Sequence, residues 1–221
     1  MKIHKISQQE ITDIVSISLS HISSEAKDEM AIPSYTHKNP MIRWLMWKRY
    51  ECASEMAAFS KDMNVLEFGC GIGLFLPEMS RMNAKVYAID LFPEYAEILS
   101  NKFDLNVRFI RCLSDLQDGS VDIIIALDVL EHIHDLSDYL TKFRHLLKRD
   151  GCLIVSGPTE NIFYKMGRIA AGFHDKGDYH YTNIDDIFNQ IEEAGFSLAT
   201  VRKLPFVIPP CLFKIGEFRR T

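Results

Sequence analysis

Short apolar runs alternate with amphipathic stretches along most of this chain. Residues 65–68, 85–90, 106–111, 120–127 and 152–156 have the length and apolar content of strands. The run from Asp122 to Leu127 is almost unbroken Ile, Ala and Leu, as in a strand buried on both faces. Helical spacing falls between these runs, over 74–82, over 92–103 behind Pro93, and over 136–148. Asp150-Gly151 reads as a turn before the fifth strand. A helix capped by Thr182 or Asn183 runs to Ala194 and stops at Gly195. Two more strands, 196–204 and 211–219, flank a Pro-rich connection at 205–210. Strict strand–helix alternation predicts an α/β fold, a parallel sheet covered on both faces.

The first sixty residues follow a different pattern. Ile11, Ile14, Val15 and Leu19 predict a helix within 8–30 that ends near 20–24. A Pro-interrupted connector covers 32–40, where Asn39 can cap and Pro40 can open a helix reaching about Ser60. That helix carries Trp44, Trp47 and Tyr50, with Phe59 at its end. These aromatics suit packing onto the domain, or a lid over a ligand. With 204–213 they could also form one apolar rim; ordinary core packing accounts for the same residues equally well. The chain therefore divides into a helical extension, 1–60, and an α/β domain, 61–221. Residues 157–183 break the alternation and form an insertion, partly helical over 162–171.

Chemistry concentrates where the first strand ends. Glu67-Phe-Gly-Cys-Gly-Ile-Gly sets Gly69, Gly71 and Gly73 at alternate positions before a helix. Glycines there permit positive φ and let a ligand approach the backbone, and the following helix offers unpaired N–H groups. A dinucleotide fingerprint requires G-x-G-x-x-G, and Leu74 stands in the place of its third glycine. Asp90 ends the second strand, 21 positions after Gly69. An acid roughly 20 residues past the first glycine can accept hydrogen bonds from a ribose diol. Alternatively, Asp90 only caps the next helix.

Composition narrows the classes. A net charge of −5 and the lack of a Lys/Arg run give no reason to expect nucleic-acid binding. Five scattered cysteines form no C-x-x-C pair, and the eight histidines show no metal-ligand spacing, so no metal is expected. This usage fits a reducing, cytoplasmic setting. The first residues lack the apolar core of a signal peptide, and no stretch approaches the ~20 apolar residues of a membrane span.

The glycine stretch resembles the first motif of class I S-adenosylmethionine-dependent methyltransferases, an acid followed by x-G-x-G-x-G. The run Asp122-Ile-Ile-Ile-Ala-Leu-Asp-Val-Leu-Glu-His-Ile resembles the fourth-strand motif of the same enzymes. Leu146-Leu-Lys-Arg-Asp-Gly-Cys-Leu-Ile-Val-Ser-Gly-Pro resembles the helix, turn and fifth strand that follow it. The likeness is strongest to the small-molecule and lipid-pathway branch, which includes the ubiquinone and menaquinone methyltransferases. It implies a Rossmann-like, doubly wound, seven-stranded sheet whose last strand is antiparallel. It implies S-adenosyl-L-methionine as cofactor, held by Glu67, Gly69, Cys70, Gly71, Gly73, Asp90, Leu91, Leu113, Leu127 and His132. Many relatives carry an acid where Leu113 stands; adenine would then be held by backbone, by Ser114 or Asp115, or by apolar packing.

A hydroxyl or protonated amine acceptor also needs a base. His132, Glu131, Tyr179, His180 and Tyr181 are the candidates, with helix-start packing an alternative role for His132 and pocket lining one for the tyrosine–histidine cluster. The implied acceptor is a small molecule or a lipid-linked one, with peripheral membrane contact in the latter case. Two rivals remain: a cofactor-binding protein of this fold without catalysis, and an NAD-dependent oxidoreductase, which Leu74 disfavours. The oligomeric state is not legible.

Overall fold

The computed structural model describes residues 3–17, 19–20, 22–23, 30, 32–82, 84–170, 181–206 and 211–221. The chain groups into two compact units, Met1–Cys112 and Leu113–Thr221.

The first unit opens with α1 (Gln8–Val15), where Ser7 and Glu10 form a reciprocal capping box. This helix is shorter than the apolar spacing predicted. The Pro-interrupted connector holds a single turn, α2 (Ile32–Tyr35). Asn39 accepts from the Met41 amide and Pro40 occupies the first turn of α3 (Pro40–Ala57), as the residue types dictate. Strands β1 (Asn64–Phe68), β2 (Lys85–Ile89) and β3 (Val107–Phe109) alternate with α4 (Leu76–Arg81) and α5 (Glu94–Lys102). β2 pairs in parallel with both β1 and β3. Ile11, Ile14, Tyr35 and Trp47 share one core with Ile72 and Leu74 of the glycine loop and with Tyr95 and Leu99 of α5. The leading helices are thus sealed onto the loop by the hydrophobic effect, on the order of 1.5–3 kcal/mol per large side chain.

In the second unit β4 (Val121–Leu127) and β5 (Leu147–Pro158) pair in parallel, and β7 (Cys211–Arg220) runs antiparallel to β5 and to β6 (Phe196–Pro205). Helices α6 (Ser137–Leu146), α7 (Ile162–Ala170) and α8 (Ile184–Glu193) complete it. The seven strands lie in the order β3-β2-β1-β4-β5-β7-β6. The seven-stranded sheet with an antiparallel last strand is therefore as the resemblance implied. Asn183, of the two candidate caps, accepts from the Asp185 and Asp186 amides, and Gly195 ends α8 at φ 88°.

One expectation is corrected. Asp150 and Gly151 lie inside β5, where the register slips between Val121/Leu147 and Ile123/Cys152. A glycine suits this slip because a Cβ on Gly151 would come within 2.9 Å of the Asp122 carbonyl. Of the described residues offered for either an apolar rim or core packing, Trp47, Phe59, Leu204 and Phe213 are buried, as core packing requires, while Trp44 and Phe206 are exposed. Residues 207–210 lie outside the described residues. The exposed apolar face is instead on α7, where Ile162, Phe163, Met166 and Ile169 are all open to solvent.

Candidate functional site

The glycine loop follows β1 directly. Gly69, Gly71 and Gly73 all have positive φ, at 75°, 53° and 79°. The loop is closed by its own amides. Gly69 and Cys70 donate to the Ile89 carbonyl, and Gly73 donates to Cys70. Gly71 donates to Oδ2 of Asp90 at 2.7 Å. The helix behind the loop, α4, begins only at Leu76, has six residues and lacks a side-chain cap. It is shorter than 74–82, because Gly73–Phe75 are spent on turns, and so short a helix adds little dipole.

Asp90 does not cap α5, whose cap position is Pro93 with no side-chain cap bond; it braces the backbone on either side of β2 instead. Its Oδ1 accepts from the Phe92 amide at 3.0 Å, which opens the approach to α5. Its Oδ2 ties the glycine loop to β2. Burial pushes the Asp90 carboxyl above its ordinary value, against the Phe92, Gly71 and Leu91 amides, which favour the anion. A carboxylate oxygen has more than one lone pair, so both oxygens can still accept from a ligand.

Glu67 sits one residue before the end of β1, in register with Ala88, and is only 4% exposed. Its Oε2 has no hydrogen-bond partner among the described residues. Burial, with Asp90 close by, raises its carboxyl well above the ordinary range. Cys70 is buried beside this pair, and burial raises its thiol too, with Glu67 and Asp90 adding to the effect. Leu91, in contrast, is almost fully exposed next to Asp90.

The extension contributes Tyr50, named from the sequence only among the aromatics of its helix, and Met30, which was not singled out. Tyr50 of α3 stacks on Phe75 at 4.8 Å and on Tyr35 at 5.7 Å. The Glu67 carboxylate is close enough to help hold the Tyr50 phenol protonated, behind the larger effects of burial and of Tyr35. Met30 lies 3.8 Å from where a Cβ on Gly71 would stand. Neither follows from a motif; only the fold brings them to the loop.

In the second unit, Leu113 is buried in a 3₁₀ turn, Leu113–Asp115. Leu127 ends β4 and is buried, and Leu130–His132 forms a second 3₁₀ turn just after it. His132 is half-buried, and its amide donates to Val129. Asp128, which the motif reading did not single out, adopts a left-handed φ of 54° and accepts from Ser156 Oγ at 3.0 Å. The Tyr181 amide donates to the Glu131 carbonyl at 2.8 Å, and its ring meets His134 edge-on. Tyr179 and His180 lie outside the described residues.

The loop edge is thus acidic, its amides largely satisfied internally. Among the described residues no ion pair neutralises Glu67 or Asp90. A pyrophosphate would meet the Asp90 carboxylate and the buried Glu67 carboxyl there, and few free donors. A cationic ligand carrying a ribose diol suits the same groups, Asp90 for the diol and the orphaned Glu67 for the charge.

A glycine loop between β1 and α4 with an acid at the end of β2 defines an α/β domain of the nucleoside-cofactor class. Residues 44–201 match the family model of a methyltransferase domain, beginning inside α3. The chain belongs to that family. A ubiquinone biosynthesis O-methyltransferase of Xanthomonas euvesicatoria is 34% identical over 152 residues, 62% of this chain and 64% of that protein. Its counterpart in Xanthomonas oryzae is 35% identical over 99 residues, 42% of this chain. The match thus spans about 41% to 64% of these curated relatives' own length. Among solved structures, a SAM-dependent methyltransferase from Aquifex aeolicus aligns over 97% of this chain and 99% of its own, with TM-score 0.60 and 20% identity. Magnesium protoporphyrin IX methyltransferase from Synechocystis, solved with bound SAH, aligns over 94% of this chain and 100% of its own, with TM-score 0.65 and 20% identity.

Proposed function

We propose that this chain is an S-adenosylmethionine-dependent methyltransferase whose acceptor is a small or lipid-linked molecule presenting an oxygen nucleophile. One observation carries the cofactor: the glycine loop faces an orphaned carboxyl and an anchored carboxylate, a setting for a cation rather than a pyrophosphate. When bound, the cofactor supplies an electrophilic methyl on a sulfonium sulfur. The chain's own groups then bind and orient. Gly69, Gly71 and Gly73 give backbone clearance for the methionine portion, Asp90 accepts from the ribose diol, and Leu91 offers an apolar edge. Leu113, Leu127 and His132 keep the cofactor roles that the resemblance assigns them, and Cys70 acts through its backbone. His132 is the leading base for an acceptor hydroxyl, with Tyr179 and His180 as pocket residues.

The relatives' name supports oxygen as the acceptor atom. The exposed face of α7 supports an apolar acceptor met at a membrane surface, because a stripe of Ile162, Phe163, Met166 and Ile169 beside Lys165 fits an interfacial helix. Among the described residues no helix is long and apolar enough to cross a membrane. Phe163→Glu with Met166→Glu removes two side chains that would gain on the order of 1.5–3 kcal/mol each on burial. We expect vesicle flotation to fall at least about tenfold, with the melting temperature unchanged; equal flotation would reject the surface contact. The function itself is tested by transfer of a labelled methyl group to phenolic acceptors with short and long isoprenoid tails. Transfer with preference for the long tail is expected, and cofactor binding without transfer to any acceptor would favour the non-catalytic rival.

A further inference from the structure

Among the described residues, Oε2 of the buried Glu67 carboxyl has no hydrogen-bond partner. Glu67 is the penultimate residue of β1 and is 4% exposed. Among the described residues, the groups close to it form no ion pair with it. From β2 comes Asp90, held as a fixed acceptor by the Gly71 and Phe92 amides. From the loop comes the Cys70 thiol. From α3 comes the Tyr50 phenol, behind which Arg49 is turned onto the Tyr35 hydroxyl at 3.4 Å. From α5 come Glu94, which raises Asp90, and Glu97, which raises Cys70; both are acids. A buried carboxyl and a half-buried one side by side cannot both ionise cheaply, and Asp90 has the amide donors.

Resting on the cofactor proposed above, we infer that Glu67 is the charge-selecting residue of the site: it keeps a proton in the cofactor-free chain, releases it to solvent when the sulfonium cofactor binds, and so favours the methyl donor over its demethylated product. The two ligands differ by one positive charge at sulfur. The donor carries a sulfonium, and the product a neutral thioether of nearly the same shape. A protonated Glu67 tolerates either, while an ionised Glu67 is stabilised only beside the cation. Burial supports this protonation state, since it raises the Glu67 carboxyl above its ordinary value of 4.5. The sign for the cofactor-free chain follows by linkage. The folded chain keeps a proton that the unfolded chain loses near 4.5, so stability is whole below that pH and falls as pH rises toward the raised value. Glu67→Gln removes that loss and is expected to melt higher than the parent chain at neutral pH.

The experiment is titration calorimetry of S-adenosylmethionine and of S-adenosylhomocysteine into the full chain, in buffers of different ionisation enthalpy. Proton release approaching one per donor bound, and clearly less per product bound, is expected. In Glu67→Gln the release should vanish and the donor-to-product affinity ratio should fall about tenfold, with product affinity within about twofold of the parent. The parent chain carries an independent check, because its donor-to-product ratio should rise with pH by up to about tenfold per unit below the Glu67 transition. Donor binding without proton release, release unchanged in Glu67→Gln, or a pH-independent ratio would each overturn the charge-selecting role. Failure of the parent chain to bind either ligand would instead overturn the cofactor reading beneath it.

Discussion

Replacing Asp90 by alanine is expected to weaken S-adenosylmethionine binding by about a hundredfold or more while leaving a folded chain. The carboxylate has two tasks in this account. It would accept from the ribose diol, where hydrogen bonds to charged groups are worth about 1.5–3 kcal/mol each. It also holds the glycine loop in place through the Gly71 amide at 2.7 Å. Removing it loses the first contact and loosens the second, so the affinity loss exceeds that of one bond. Stability should change little, because the lost amide bonds are offset by relief of a partly desolvated carboxylate. Asp90→Asn keeps one acceptor oxygen and should lose less. Calorimetry with far-ultraviolet circular dichroism reads both quantities; an unchanged affinity in Asp90→Ala would remove Asp90 from the ligand.

Gly73→Ala is expected to cost more than any other single methyl added to this loop. Gly73 stands at φ 79°, and a Cβ there would come 2.9 Å from Leu76 Cδ1 and 3.0 Å from the Ala96 methyl. Left-handed backbone costs a non-glycine residue roughly 1–2 kcal/mol, and overpacking adds about 1–3 more. In a chain of this length, about 1 kcal/mol moves the melting temperature by roughly 2–4 °C, so a fall on the order of 5–15 °C should follow. Gly119→Ala is the matched control. Its φ is 64°, but nothing lies within 4 Å of the added methyl, so only the backbone cost applies. Equal melting shifts for the two variants would mean that the loop has room for a Cβ at Gly73.

Both predictions turn on what the sequence could and could not convey. The alternating strands and helices, the Asn39 and Asn183 caps and the glycine loop were legible because each rests on local chemistry: period, cap donor, positive φ. The register slip in β5 at Gly151 was not, because a glycine needed to clear the Asp122 carbonyl looks the same in sequence as one needed for a turn. Asp90 was legible as an acid at the right spacing, yet its bond to Gly71 depends on how β2 lies beside β1. The aromatics of α3 showed that the helix packs; that Tyr50 would stack on Phe75 beside Glu67 is a tertiary fact. Asp128 in left-handed backbone left no signal beyond the tolerance of Asp for that region. The open face of α7 was legible as a helix but not as an exposed one, because burial of an apolar stripe depends on what covers it.

The central claim is that the acidic glycine loop holds a cationic nucleoside methyl donor. Calorimetric titration of the full chain with S-adenosylmethionine, with NAD in parallel, tests it most directly. The account predicts one saturable S-adenosylmethionine site, displaced by S-adenosylhomocysteine and lost in Asp90→Ala, with no heat from the dinucleotide. Saturable binding of NAD in place of S-adenosylmethionine would contradict it.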